Sequence, residues 1–257
     1  MISSLAHIDP KAQLGAGVTV EPFATIYGDV VIGDGTWIGS GAVIYDGARI
    51  GRNCRIFNGA SISAIPQDLK FSGEETTLEI GDNTTVREFA TLNRGTSARG
   101  RTTIGKNCLL MAYVHVAHDC SLGDNVIMVA SSGIAGEVEL GNWVTLGGGT
   151  IVHQFVRIGN HAFLGGGSKV RMDVPPFIKA DREPLAYMGI NSVGLERRGF
   201  SKEKMRELHE IYRAYFNMGM NGTKALEYID ANFPSTPERD YILEFIKKSE
   251  RGVIRGR

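Results

Sequence analysis

The sequence predicts an all-β solenoid, a parallel β-helix of hexapeptide repeats, followed by a C-terminal α-helical domain. Three observations carry this prediction. From position 104 onward every sixth residue is aliphatic: Ile104, Leu110, Val116, Leu122, Met128, Ile134, Leu140, Leu146, Val152, Ile158, Leu164 and Val170. With apolar residues making up 42% of the chain, such a run has a chance probability on the order of 10⁻⁵. Four residues after the ladder positions stand small or β-branched residues, among them Val114, Val126, Val138, Val144 and all three cysteines, Cys54, Cys108 and Cys120. Past residue 173 the period becomes helical.

A period of six matches neither the 3.6 of a helix nor the 2.0 of a long strand. It matches short strands that turn a corner every six residues and point one aliphatic side chain inward each time. Three sides close a triangular coil, so residues eighteen apart stack at about 4.8 Å. Residue numbers that share a remainder on division by eighteen therefore form columns.

The ladder begins at Ile8, runs to Ile62 and resumes at Ile80, Val86 and Leu92. Glycine often follows a ladder residue, as at Gly33, Gly105 and Gly141, which reads as a corner needing unusual backbone angles. Pro10 and Pro22 occupy a slot where no strand hydrogen bond is lost. Residues 64–76 and 93–102 drop the ladder for polar, charged and glycine residues, as surface loops or site loops do. Pro175 and Pro176 end the coil pattern. Beyond them, Ser201 caps a helix with Met205, Leu208, Ile211, Tyr212 and Tyr215 on one face. Thr223 caps a short second helix, and Thr236-Pro237 opens a third that ends at Gly252. This divides the chain into a solenoid over 1–190 and a helical domain over 191–257.

Lys plus Arg number 28, as do Asp plus Glu, so no net charge argues for nucleic acid or an anionic membrane. The N-terminus lacks a basic start and an apolar core, and no apolar run approaches eighteen residues, so a soluble cytoplasmic chain with no membrane span is expected. Three cysteines, all in the tight inward slot, read as small core fillers rather than ligands or nucleophiles. From Leu195 onward thirteen basic residues face ten acidic ones, an excess that suits an acidic partner.

The segment 113–120 stands apart. Val114 and Val116 take inward slots and leave His115, His118 and Asp119 at outward or corner positions. His118, Gly136 and Gln154 share one column, with His153 beside Gln154; Glu137 shares the column of Asp119. A histidine with a carboxylate neighbour suits general-base work near neutral pH, and the N–H of Gly136 suits an oxyanion. Asp119 reads equally as a turn residue. The glycine runs of 146–150 and 164–168 lie eighteen apart and stack into a strip almost without side chains, either a tight turn or a groove for a chain-like ligand. That strip is on another corner from His118, so a ligand touching both would cross a subunit boundary, and a symmetric trimer is expected.

The ladder, His-Val-Ala-His-Asp at 115–119, Ile-Pro-Gln-Asp-Leu-Lys at 65–70, Val-His-Gln-Phe at 152–155, Asp-Val-Pro-Pro at 173–176 and Gly-Leu-Glu-Arg-Arg-Gly-Phe at 194–200 carry a resemblance over essentially the whole chain. Together they resemble the acyl-(acyl-carrier-protein)–UDP-N-acetylglucosamine O-acyltransferases, which open lipid A biosynthesis. The resemblance implies a left-handed coil, an exception to the usual crossover rule, and a homotrimer with sites between subunits. It implies His118 as general base for the sugar 3-hydroxyl, Asp119 as its partner and the Gly136 N–H as oxyanion donor. Transfer from the carrier-protein thioester would be direct, with no acyl-enzyme, cofactor or metal. Asp68, Lys70, His115, Glu137, His153 and Gln154 would surround UDP-N-acetylglucosamine, with Asn191, Arg197 and Arg198 at its nucleotide end, where arginine offers a planar fork for phosphate. Gly166 matches the position whose size limits acyl length, open here to a long 3-hydroxyacyl chain, and the basic tail would receive the acyl carrier protein. Two positions depart from the pattern, Glu137 in place of histidine and Val193 in place of glutamate, and both bear on whether the acceptor is a hydroxyl or an amine.

Three rivals make different demands. The N-acyltransferase of the same pathway acts on an already acylated sugar. A zinc-dependent hexapeptide-repeat carbonic anhydrase would need His115, His118 and His153 within about 2.1 Å of one metal. An inert structural solenoid predicts that His118→Ala is silent.

Overall fold

The computed structural model describes residues 1–256. Three sheets of nine, eight and ten strands form the sides of a triangular prism, and consecutive strands pass from one sheet to the next. His115–Val116 lies in the first sheet, Ser121–Leu122 in the second and Ile127–Met128 in the third; Gly133–Ile134 returns to the first. The pairing is parallel, His115 with Gly133 and Gly133 with Ile151, so vertical neighbours are eighteen apart as the repeat requires. Every ladder side chain from Ile104 to Val170 is at most 3% exposed, and each contributes about 1.5–3 kcal/mol by leaving water. Ile8 and Leu14 at the open end are only partly covered.

Column counting fails in one stretch. Ile62 pairs with Leu92 and Leu92 with Val116, offsets of thirty and twenty-four instead of eighteen. The two insertions together add one full coil, so remainders agree below the first and above the second and are shifted only between them.

The glycines that follow the ladder residues serve another purpose than expected. A Cβ on Gly33 would lie 2.7 Å from the carbonyl carbon of Gly51, so it is the stacking of coils that excludes a side chain there. Left-handed backbone falls two positions later, at Asn53, Asn83, Asn107 and Asn125, and also at Tyr113, Asp119, Glu137, Trp143 and Phe155. All three cysteines are unpaired and at most 2% exposed. Burial pushes the Cys108 thiol up to about 11 and that of Cys120 to about 12.

The coil also outlasts its prolines. Val174 bridges Ile158 and the strand Ile178–Asp181 pairs in parallel with Phe163–Leu164, because Pro175 and Pro176 fall between the hydrogen-bonding positions. The strand Ala186–Ile190 then turns back antiparallel. Four helices follow: α1 Ser192–Arg197, α2 Lys202–Asn217, α3 Gly222–Asn232 and α4 Pro237–Lys247. Ser201 and Thr236 cap α2 and α4, but Asn221 rather than Thr223 caps α3, and α4 stops at Lys247, short of Gly252. Asn serves because its side chain reaches the amide of Lys224. The helices seat on the end of the prism: the Tyr212 hydroxyl, fully buried, donates to the Pro176 carbonyl at 2.6 Å. The amide of Asn160 donates to the Tyr241 hydroxyl at 3.1 Å. After α4 the chain rejoins the last coil, where Ile254 donates to Asp173. Among the described residues no helix is long and apolar enough to cross a membrane.

Candidate active site

Val116 fills the core and the chain then turns the corner between the first and second sheets, carrying Ala117, His118 and Asp119 round it. Asp119 sits at φ +59°, a conformation that Asp tolerates better than most residues. Its carboxylate is wholly buried. It accepts from the Thr96 amide at 3.0 Å, the Thr96 hydroxyl at 2.6 Å and the Arg99 amide at 3.2 Å. The fourth contact is His118 Nδ1 at 2.8 Å from Oδ2. With three donors already on it, the carboxylate accepts from Nδ1–H, which places the proton of a neutral imidazole on Nδ1 and the lone pair on Nε2.

Gly136 lies one coil further along. A Cβ there would be 2.6 Å from His118 Cε1 and 2.7 Å from Nε2, so the imidazole rests directly against the glycine. At the equivalent place on the next corner, the amides of Lys106, Asp124 and Asn142 donate to Asp124, Asn142 and Asn160 of the following coil. No hydrogen bond among the described residues takes up the Gly136 N–H. A base and an uncommitted donor thus share one corner.

The two insertions complete it. Residues 93–102 close over Asp119, whose own amide donates to Thr102 Oγ1 at 2.8 Å. Residues 64–76 bring Asp68 Oδ2 to 3.9 Å from His118 Nε2. Lys70 is exposed and its amide donates to Asp68 at 3.0 Å. His118 is consequently only 9% exposed, more enclosed than an outward corner residue.

The other expected sugar-site residues take separate stations. His115 stands half-buried on the first sheet, its Nδ1 2.8 Å from Thr91 Oγ1, and burial lowers its pKa. His153 is exposed, with Nδ1 3.3 Å from Arg251 and 3.2 Å from the Gln154 carbonyl. Glu137 lies at φ +61° and lines a cleft of about 960 Å³ with Arg99, Arg157, Lys247 and Arg251. Arg99, Thr96 and Arg251 had no signal in the sequence beyond the polar character of their segments. Among the described residues no three His, Cys, Asp or Glu side chains converge as metal ligands would.

A second group sits elsewhere on the prism. Gly166 lies at the corner between the third and first sheets, stacked on Gly148, whose carbonyl oxygen is 3.2 Å from where a Cβ would be. Asn191, Arg197 and Arg198 line a groove of about 870 Å³ with Trp143, Phe163, Lys179 and Val193. Arg198 lies 5.1 Å over the Trp143 ring. Burial lowers the pKa of its guanidinium, and Nη1 is buried without a partner. Behind it, burial and the charge of Arg198 push His161 down to about 4. Asn191 is spoken for within the protein: Oδ1 caps α1 through the Gly194 amide and Nδ2 donates to the His161 carbonyl at 2.9 Å. It shapes the groove through α1. Nothing in the hexads of Trp143 and Lys179 differs from a solvated coil, so the sequence carries no signal for either.

The solenoid of hexapeptide repeats places the chain among the hexapeptide-repeat proteins, and the model for bacterial transferase hexapeptide repeats matches residues 29–64 and 101–136. Residues 173–254 match the second domain of UDP-N-acetylglucosamine O-acyltransferase. A protein of Chlorobium phaeobacteroides named acyl-(acyl-carrier-protein)–UDP-N-acetylglucosamine O-acyltransferase is 55% identical over 98% of this chain and 96% of its own. One of Thermodesulfovibrio yellowstonii with the same name is 40% identical over 99% of each. The solved UDP-N-acetylglucosamine acyltransferase of Bacteroides fragilis superposes with a TM-score of 0.97 at 48% identity, over 99% of this chain and 100% of that one. The chain belongs to the family of acyl-(acyl-carrier-protein)–UDP-N-acetylglucosamine O-acyltransferases. Its fold is the left-handed parallel β-helix that the resemblance implies.

Proposed function

We propose that this enzyme transfers a long-chain 3-hydroxyacyl group from the thioester of acyl carrier protein to the 3-hydroxyl of UDP-N-acetylglucosamine, the first step of lipid A biosynthesis. The observation that carries the mechanism is the tether of His118 Nδ1 to Asp119 at 2.8 Å, which leaves Nε2 as the base beside the uncommitted N–H of Gly136. Nε2 takes the proton of the 3-hydroxyl while that oxygen attacks the thioester carbonyl. The Gly136 N–H stabilises the oxyanion that forms. Collapse breaks the carbon–sulfur bond, and the imidazolium returns its proton to the departing thiolate. Asp119 supports the transient positive charge without moving. Asp68, Lys70, His115, Glu137, His153 and Gln154 hold the sugar nucleotide. Gly166 leaves room for the acyl chain, and Arg197 and Arg198 receive the nucleotide end across a subunit boundary of a homotrimer. The separate corners occupied by His118 and Gly166 support that assembly, as does the basic surplus of the tail for an acidic carrier in the cytoplasm.

His118→Ala tests the reading. Transfer falls by about 10³-fold or more, as for loss of a general base acting with its oxyanion donor, while sedimentation still reports a trimer and the melting temperature is kept. Full activity of the variant overturns the mechanism. Mass spectrometry of the product from UDP-N-acetylglucosamine and a panel of acyl thioesters reads both acceptor atom and chain length.

A further inference from the structure

The two insertions are tied to each other as well as to the site. The Ser97 amide donates to Glu74 Oε1 at 3.1 Å and the Thr76 hydroxyl to the Gly95 carbonyl at 2.6 Å. Gly95 donates to Thr77 and Arg94 to Ala64, and the Arg94 guanidinium lies 5.6 Å over Phe71. One insertion delivers Asp68 to the Nε2 side of His118 and the other seals Asp119 on the Nδ1 side. They act as a single wall around one imidazole. Within it Thr96 holds both carboxylate oxygens: its hydroxyl meets the same Oδ2 that binds Nδ1, while its amide and that of Arg99 hold Oδ1. A carboxylate on a corner residue has two free torsions, and Asp119 needs both oxygens fixed to keep Oδ2 in the imidazole plane. Thr96 as a whole is 6% exposed, and its hydroxyl is committed to Asp119.

We propose that Thr96 is a positioning residue for transfer, orienting His118 through Asp119, and that the 64–76 and 93–102 insertions exist as one clamp for this purpose. The inference rests on His118 being the base. In Thr96→Val, which keeps the volume and loses the hydroxyl, kcat falls about 10- to 100-fold, the range spanned by one hydrogen bond to a charged group. KM for UDP-N-acetylglucosamine stays within about twofold, because no substrate contact is lost. The acidic limb of the kcat/KM profile moves with the rate, which a merely structural loss would leave in place. Thr96→Ser restores rate and limb together. A Thr96→Val enzyme with wild-type kcat and an unmoved limb overturns the proposal, as does a loss that serine does not restore. If the valine variant does not fold, Glu74→Ala removes the surface tie to the Ser97 amide and loosens the second insertion against the first. It lowers kcat with KM kept if they form one clamp, and leaves kcat unchanged if they do not. A silent His118→Ala would remove the base itself, whereas a silent Thr96→Val beside a dead His118→Ala removes only the clamp.

Discussion

Gly136→Ala is the sharpest test of how the corner is built. The added Cβ would stand 2.6 Å from His118 Cε1 and 2.7 Å from Nε2, against the 3.5–4.0 Å at which carbon atoms settle, so the ring must retreat by about 1 Å. It cannot swing freely, because Nδ1 is held by Asp119 at 2.8 Å. A displacement of about 1 Å at a reacting centre costs about 10²-fold, or about 2.7 kcal/mol of transition-state stabilisation. The backbone of Gly136 is not left-handed, so alanine strains only the contact. Its overpacking, about 1–3 kcal/mol, is partly offset by the loss of chain entropy in the unfolded state, about 0.4–1 kcal/mol. Steady-state transfer, followed by titrating the carrier thiol released, should show kcat down about 10²-fold, with KM within about twofold and a melting temperature within about 5 °C of the parent. A kcat within threefold of wild type would refute the placement of the imidazole over the glycine.

Further tests address other levels. His161 is pushed down to about 4, below its unfolded value of about 6.5. The unfolded chain therefore takes up the proton first, and stability that is full above pH 6.5 is lost as pH falls toward 4. The full shift corresponds to about 3 kcal/mol, reduced to about 1–2 because the ring is only partly enclosed; urea unfolding of wild type against His161→Phe at pH 7 and 5 isolates it, and equal slopes would refute it. Cys108 and Cys120, raised to about 11 and about 12, stay unlabelled by iodoacetamide at pH 8 in the native protein and react on unfolding; rapid native labelling would mean the core opens. Gly166→Met fills the strip beside Gly148 and moves the donor profile to chains about three to four methylenes shorter, at about 0.8 kcal/mol each, measured with a panel of acyl thioesters; an unchanged profile places the acyl chain elsewhere. Leu110→Ala, at a site with no exposure, costs about 2–5 kcal/mol in denaturant unfolding without altering KM.

The solenoid was legible because its coils repeat. An inward slot recurring every six residues forces aliphatic side chains into a countable ladder, and eighteen-residue columns then bring His118 against Gly136 without coordinates. The helical caps at Ser201 and Thr236 were legible for a similar reason, a local side-chain-to-amide bond. Structure and local rule part where the rule has two physical sources. Glycine beside a ladder residue reflects crowding between coils rather than backbone angle, and paired prolines break a strand only where an N–H is needed.

What the sequence determined by itself is periodic order: which residues face in, which columns they form and which corner carries a histidine beside a carboxylate. The tertiary structure alone decided how the aperiodic segments fold back. Insertions 64–76 and 93–102 carry no period, so nothing local shows that Asp68 approaches Nε2 or that Thr96 seals Asp119. Those contacts span more than twenty residues and exist because the prism, once closed, offers both loops the same corner.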